Sequence, residues 1–481
     1  MVLKIVKMAE DISKKQWGFH ANRSIKPVHL ANGFFRALCG GQTGSTTLLQ
    51  KAAGGYHTGR SRVTTEQFID DIKDLYECED RTKLFERAKD LRESLSLVLN
   101  QDGTFFPSSF SSATLTHRLH ITSDPSDQGA GKVLAQILAN SDPNTINCLR
   151  NCLDKDNDNI FILSYPLIDR TKELGPPPIA NNGSNDNVNN SKFSKLVQTT
   201  FSNLMLYEQR MEKAMFLQRV VSLASFLIFL RLINQNEPSE NQDNYVPILV
   251  CGNNPSPILR EISRNTFILA RQQIVKTYEK QLKIELQNRG QENLSKDEYL
   301  EIGREWLTDE GRLFENEFAQ FSQIFEGMIL GGLSLLDAFS HAIVRLMFMI
   351  MKNKGESPEG VAASLGRLSG LLYPRLGGRG GKSYLPGPTF LDMLVVSLLE
   401  PNEEVSLEEF WSRARKHYGV ICGAQSIIDN EYLREWGIRS VSPKNLHANA
   451  QKLLSQFNSM GHALEFPDDI AVIHVGGLAH E

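Results

Sequence analysis

The sequence predicts a mainly α-helical chain of the α+β class, with a winged helix-turn-helix at its C-terminal end. Apolar residues recur at helical spacing through most of the second half, punctuated by Ser-led caps and Gly or Pro stops. Alternating runs are short and few. Residues 389–475 set out helix, helix, longer helix and β-hairpin in that order, each with its own start and stop signal.

Composition sets the bounds. With 481 residues, 41% of them hydrophobic and 22% charged, the chain suits two to four domains of ordinary globular character. A net charge of −4 excludes a general nucleic-acid coat, so any such contact has to come from a local basic surface. Cys39, Cys78, Cys148, Cys152, Cys251 and Cys422 are too scattered for a disulfide framework. The first ten residues lack the apolar core of a secretion signal, so a reduced, cytoplasmic setting is expected. The most apolar window, 215–233, is interrupted by Arg219 and Arg231, and the 11-residue run between them is too short to span a bilayer. It reads as a buried core helix.

Residues 1–173 are expected to form an α/β region. Lys14, Lys15, Trp17, His20, Arg23, Lys26 and His29 make its opening basic, which is read as a solvated face ahead of a phosphate contact. The glycine-rich stretch 39–47 lacks the lysine of a phosphate loop and follows no strand, so it reads as a connector. Residues 64–100 carry two amphipathic helices. Residues 113–121 (ATLTHRLHI) alternate like a strand and lead into a glycine loop, Asp127–Lys132, and a helix. That is the setting of a nucleotide loop, but Ser126 stands where glycine is required and Val133 where a hydroxyl would hold Mg²⁺. Only simple anion binding at the helix start survives this test.

Three metal patterns fail. His117 and His120 fall on opposite faces of the expected strand. Asp154, Asp156 and Asp158 imitate half a calcium loop, but Asn159 and Tyr165 stand where glycine and glutamate are needed. Cys148 and Cys152 have no second pair, and read as small buried residues. No cofactor is expected.

Residues 174–192, rich in Pro, Asn, Gly and Ser, read as a linker or exposed loop. Residues 193–372 read as a helical domain: a helix over 193–234, a strand at 245–251, and helices over 257–288, 295–309, 311–330 and 333–352. His341 within that domain reads as a satisfied core residue. Residues 373–388 form a Gly/Arg-rich strap, where Arg375, Arg379 and Lys382 suit either a phosphate-gripping arm or a plain linker.

The winged-helix domain, 389–481, starts from Thr389 as N-cap. Its second helix opens at the capping box Ser406–Glu409 and stops at Gly419; its third opens at Ser442-Pro443 and stops at Gly461. On the third helix Leu446, Ala450, Leu453, Phe457 and Met460 make the apolar stripe, while Lys444, Asn445, His447, Asn449, Lys452 and Gln456 make the polar face that would read DNA. The hairpin strands are 463–466 and 470–475, turning at Pro467-Asp468-Asp469. An extra short helix at 430–436 departs from the usual tight turn.

Together these readings predict a non-enzymatic DNA-binding or adaptor subunit of a prokaryotic DNA-processing or antiviral defence assembly. Its expected partners are double-stranded DNA and a motor or nuclease protein, with no membrane. The alternatives are an enzyme of unrecognised type built around Asp127–Lys132, or a winged helix used purely for protein docking.

Overall fold

The computed structural model describes residues 4–22, 24–44, 47–52, 57–58, 61–73, 80–99, 115, 117–155, 159–168, 192–234, 245–309, 312–353, 357–374, 381–466 and 470–476. The chain is mainly helical, as expected. The expected linker, 174–192, lies outside the described residues but for Lys192, and the expected turn at 467–469 lies outside them.

In chain order, the first part holds α1 (Lys4–Trp17), α2 (Pro27–Leu38), α3 (Thr47–Ala52), a minimal hairpin of β1 (His57–Thr58) and β2 (Ser61–Arg62), α4 (Thr65–Ile72), α5 (Arg81–Leu99), α6 (Ala130–Ser141), α7 (Pro143–Leu153) and α8 (Asn159–Ser164). Next come α9 (Lys192–Met205), α10 (Lys213–Ile233), β3 (Ile248–Leu249), α11 (Pro257–Asn288), α12 (Lys296–Trp306), β4 (Thr308–Asp309), β5 (Arg312–Leu313), α13 (Glu315–Leu330), α14 (Leu335–Asn353) and α15 (Pro358–Leu368). The last part holds β6 (Leu372–Tyr373), β7 (Ser383–Tyr384), α16 (Pro388–Leu398), β8 (Val405–Ser406), α17 (Leu407–Tyr418), β9 (Val420–Ile421), α18 (Ser426–Glu435), α19 (Pro443–Ser459), β10 (Ala463–Glu465) and β11 (Ala471–Ile473).

Packing divides the chain into two units that interleave along it. One comprises Met1–Ile25, Ile228–Pro386 and Trp411–Leu453; the other comprises Lys26–Leu227, Gly387–Phe410 and Leu454–Glu481.

The first unit is built on α11, whose 32 residues start from Ser256, the acceptor for the Leu259 amide, with Pro257 at the first helical position. Tyr278 on α11 is fully buried and meets Trp17 and Phe348 at ring-centroid distances of 5.5 and 5.0 Å. Tyr299, Trp306, Phe321, Phe325 and Phe339 form an aromatic cluster over α12, α13 and α14. The expected capping box at Ser295 and Glu298 is present. Strand β3 pairs in parallel with β9, and Leu249, Ile421, Leu433, Val441 and Leu446 bury together around that pair. His341 is half-buried and bonds Glu279 at 2.7 Å.

In the second unit α2 and α6 pack so closely that a Cβ on Gly131 would lie 2.2 Å from the Phe34 amide nitrogen. Only glycine permits that approach. Asp392 on α16 binds Arg219 through both carboxylate oxygens, at 2.6 and 2.7 Å, and also meets His462 Nε2 at 3.0 Å. Burial pushes the Asp392 carboxyl up, but bonds from His462 and Arg219 outweigh it and hold the group below its ordinary value. The C-terminal hairpin is joined by β8 into one antiparallel sheet of order β10-β11-β8.

Several local expectations are corrected. Residues 193–234 form two helices, because the chain tightens into turns after Met205 and sends the buried Tyr207 hydroxyl to the Leu399 carbonyl, 2.8 Å away. Residues 118–120 form a 3₁₀ turn capped by the His117 ring, not the end of a strand. Helix α16 starts with Pro388 at its first position, so Thr389 lies inside it and Gly387 is the N-cap. Among the described residues one helix, Lys213–Ile233, is long and apolar enough to cross a membrane, and 89% of its apolar window is buried in the protein.

Candidate nucleic-acid interface

Helix α19 forms for the reasons its sequence supplies. The Ser442 hydroxyl accepts the Asn445 amide at 3.3 Å, Pro443 takes the first helical position, and Gly461 follows in the left-handed region at φ 74°. Leu446, Ala450, Leu453, Leu454 and Phe457 are buried, which fixes the helix's rotation.

That rotation corrects the predicted DNA face. Asn449 is 1% exposed and cannot reach a base edge. Its Oδ1 accepts the Gly252 amide at 2.9 Å, and its Nδ2 donates to the Val250 and Cys422 carbonyls at 2.9 and 2.8 Å. Strands β3 and β9 are two residues each, so backbone groups just beyond them need other partners, and the Asn449 amide supplies both a donor and an acceptor. Lys452 is exposed, but its ammonium bonds the Asn254 carbonyl. Gln456 is half-buried, with Oε1 enclosed and unpartnered among the described residues. Asn445 is half-buried, whereas Lys444 and His447 are exposed.

The outer face of α19 is therefore Lys444, His447, Ala448, Gln451, Lys452, Ser455 and Asn458. No Asp or Glu occurs anywhere in its 17 residues. Sequence reasoning missed Gln451, which one helical turn after His447 was the available signal.

The strap is anchored near both ends. Leu372 pairs with Tyr384 and Tyr373 with Ser383. Tyr384 is fully buried; its amide donates to Ser263 Oγ at 2.9 Å and its carbonyl accepts the Cys251 amide at 2.9 Å. Arg375 and Arg379 lie outside the described residues. Lys382 is half-buried and bonds the Pro374 carbonyl at 2.5 Å. Burial lowers its pKa, and the charge of Arg367 lowers it further. Arg264 lies against the strap: a Cβ on Gly381 would fall 2.0 Å from its Nε. Arg264 and Arg367 thus join Lys382 on a cationic surface that the sequence did not announce, since they come from other helices.

The Asp127 carboxylate already occupies the start of α6, accepting the Gly131 amide at 3.1 Å, and Arg36 binds its other oxygen at 3.2 Å. Arg36 also donates to the Thr122 and Asp124 carbonyls, at 3.1 and 2.7 Å. Burial raises the Asp127 carboxyl despite this pairing, and Asp127 is only 1% exposed. Lys132 points into solvent.

The remaining candidates are structural. The His117 ring stacks on Phe161 at 3.8 Å and accepts the Leu119 amide, while His120 meets Ser164 Oγ at 2.7 Å. Asp154 pairs with Arg118; Asp156 and Asp158 lie outside the described residues. Burial pushes the Cys152 thiol up to about 12, and the half-buried Cys148 rises as well. Among the described residues no group of three His, Cys, Asp or Glu side chains could hold a metal ion.

Compared with known proteins, the chain matches no family model and no curated sequence.

Proposed function

We propose that this chain is a non-catalytic, cytoplasmic adaptor subunit of a multi-protein assembly that works on duplex DNA, and that it grips the phosphate backbone without reading base sequence. In this reading the C-terminal elements are a winged helix, supported by their chain order and by a sheet in which β8, from between the first two helices, pairs with the second wing strand. Residues 1–173 are then an α/β region serving the fold, with the Asp127 loop closed by its own carboxylate.

The observation that carries the reading is the outer face of α19, acid-free and bearing Lys444, His447, Gln451 and Lys452 while Asn449 is turned inward. Lysines neutralise phosphates and fix orientation; discrimination between bases rests on amide or guanidinium groups that enter a groove, and with Asn449 buried the single amide of Gln451 on this stretch is too little to specify a sequence. Lys382, Arg264 and Arg367 extend the positive charge at the strap. The test is duplex binding at several salt concentrations, with two unrelated sequences. Binding should weaken as salt rises and be equal for both duplexes. A strong preference for one sequence overturns the phosphate-only form, and absence of binding at low salt overturns the reading.

A further inference from the structure

The C-terminal hairpin carries a second surface. Leu464 lies opposite Val472, and the Phe466 amide donates to the Ile470 carbonyl at 2.9 Å. Cross-strand partners share a face, as do alternate residues along a strand, so Leu464, Phe466, Ile470 and Val472 stand together. Leu464, Phe466 and Ile470 are 44%, 47% and 52% exposed. The opposite face holds Ala463 and Ile473, both buried. Apart from Glu465 at the open end of the opposite face, the hairpin is therefore apolar on both sides, where a sheet with one wet face should alternate apolar with polar.

The rim of this patch is acidic. Ser406 pairs with Val472 and is exposed; Glu404 precedes it, and Glu408 and Glu409 open the helix that follows, all three exposed. We propose that this face docks a cationic amphipathic helix of a partner protein, with apolar side chains seated on Leu464, Phe466 and Ile470 and flanking Lys or Arg residues meeting Glu404 and Glu408. Charge decides between occupants. A second copy of the chain would bring the same carboxylates face to face, and an anionic lipid surface or nucleic acid would be repelled by them. Only a basic partner complements both the centre and the rim.

The probe is a labelled helix-forming peptide of about four turns, leucine on one face and lysine on the other, beside a twin with glutamate for lysine. Fluorescence anisotropy with the full chain reads the affinity. The lysine peptide should bind and the glutamate peptide should not. Phe466→Ser with Ile470→Ser should weaken binding by about tenfold or more. Glu404→Lys with Glu408→Lys should weaken the lysine peptide similarly and admit the glutamate peptide. These positions are exposed, and the second pair leaves the apolar face intact, so a folding defect in one pair cannot mimic both results. Equal binding of the two peptides overturns the proposal, as does an affinity indifferent to Phe466→Ser with Ile470→Ser. A concentration-dependent dimer that this pair converts to monomer assigns the face to self-association and overturns it too. Lys444→Glu with Lys452→Glu should leave peptide affinity unchanged, which separates this surface from the duplex reading.

Discussion

The Gly252 amide donates to the Asn449 side chain across 197 residues of sequence, and it does so at 2.9 Å inside the protein. This bond, with the two that Asn449 donates, locks the middle of α19 onto the end of the β3–β9 pair. Gly252 leaves no spare room, since a Cβ there would fall 2.5 Å from the Lys452 Cβ. Asn449→Ala removes three hydrogen bonds and leaves two carbonyls and one amide without their partner. It should lower stability by about 2–4 kcal/mol, read as an earlier urea midpoint. Any DNA preference of the folded variant should match that of the parent; a change in base preference with stability intact would return Asn449 to the DNA face.

The Arg36–Asp127 pair gives a second test. Arg36→Ala strands a buried carboxylate and removes donors from two carbonyls, so it should cost about 3 kcal/mol or more in chemical denaturation. Lys132→Ala should change neither stability nor any activity, because its side chain faces solvent. Nucleotide turnover that disappears with Lys132→Ala would reinstate the loop as a site.

His117 makes stability depend on pH. Burial, first, and then the neighbouring His120 lower its pKa from 6.5 to about 3. The unfolded chain therefore binds a proton between those values that the folded chain refuses. Stability is complete above pH 6.5 and falls as pH drops toward 3, with this residue contributing a slope of up to about 1.4 kcal/mol per pH unit. His117→Asn keeps a short side-chain acceptor for the Leu119 amide and should flatten that slope across this window. Denaturation midpoints at several pH values check it; identical slopes would show that His117 is already protonated in the folded state.

What was legible in the sequence was local. The Ser295–Glu298 capping box, the Ser442 cap and the glycines at 419 and 461 act within a few residues, and each element appears where these signals put it. What was hidden is set by partners far along the chain. Tyr207 ends α9 through Leu399, and Asn449 is claimed by Gly252 and Val250, 197 and 199 residues away. Asn449 flanks the apolar stripe, three residues after Leu446 and four before Leu453, so helical spacing alone cannot say whether it faces inward or outward. The interleaving of the two packing units is a long-range property of the same kind.

The central claim is that α19 meets phosphates through its outer face, and duplex binding across a salt series tests it most directly. Wild type should bind with an affinity that falls steeply with salt, and Lys444→Glu with Lys452→Glu should abolish binding or reduce the logarithmic salt slope by about two. Unchanged affinity and slope in that variant, or no binding by wild type at low salt, would contradict the account.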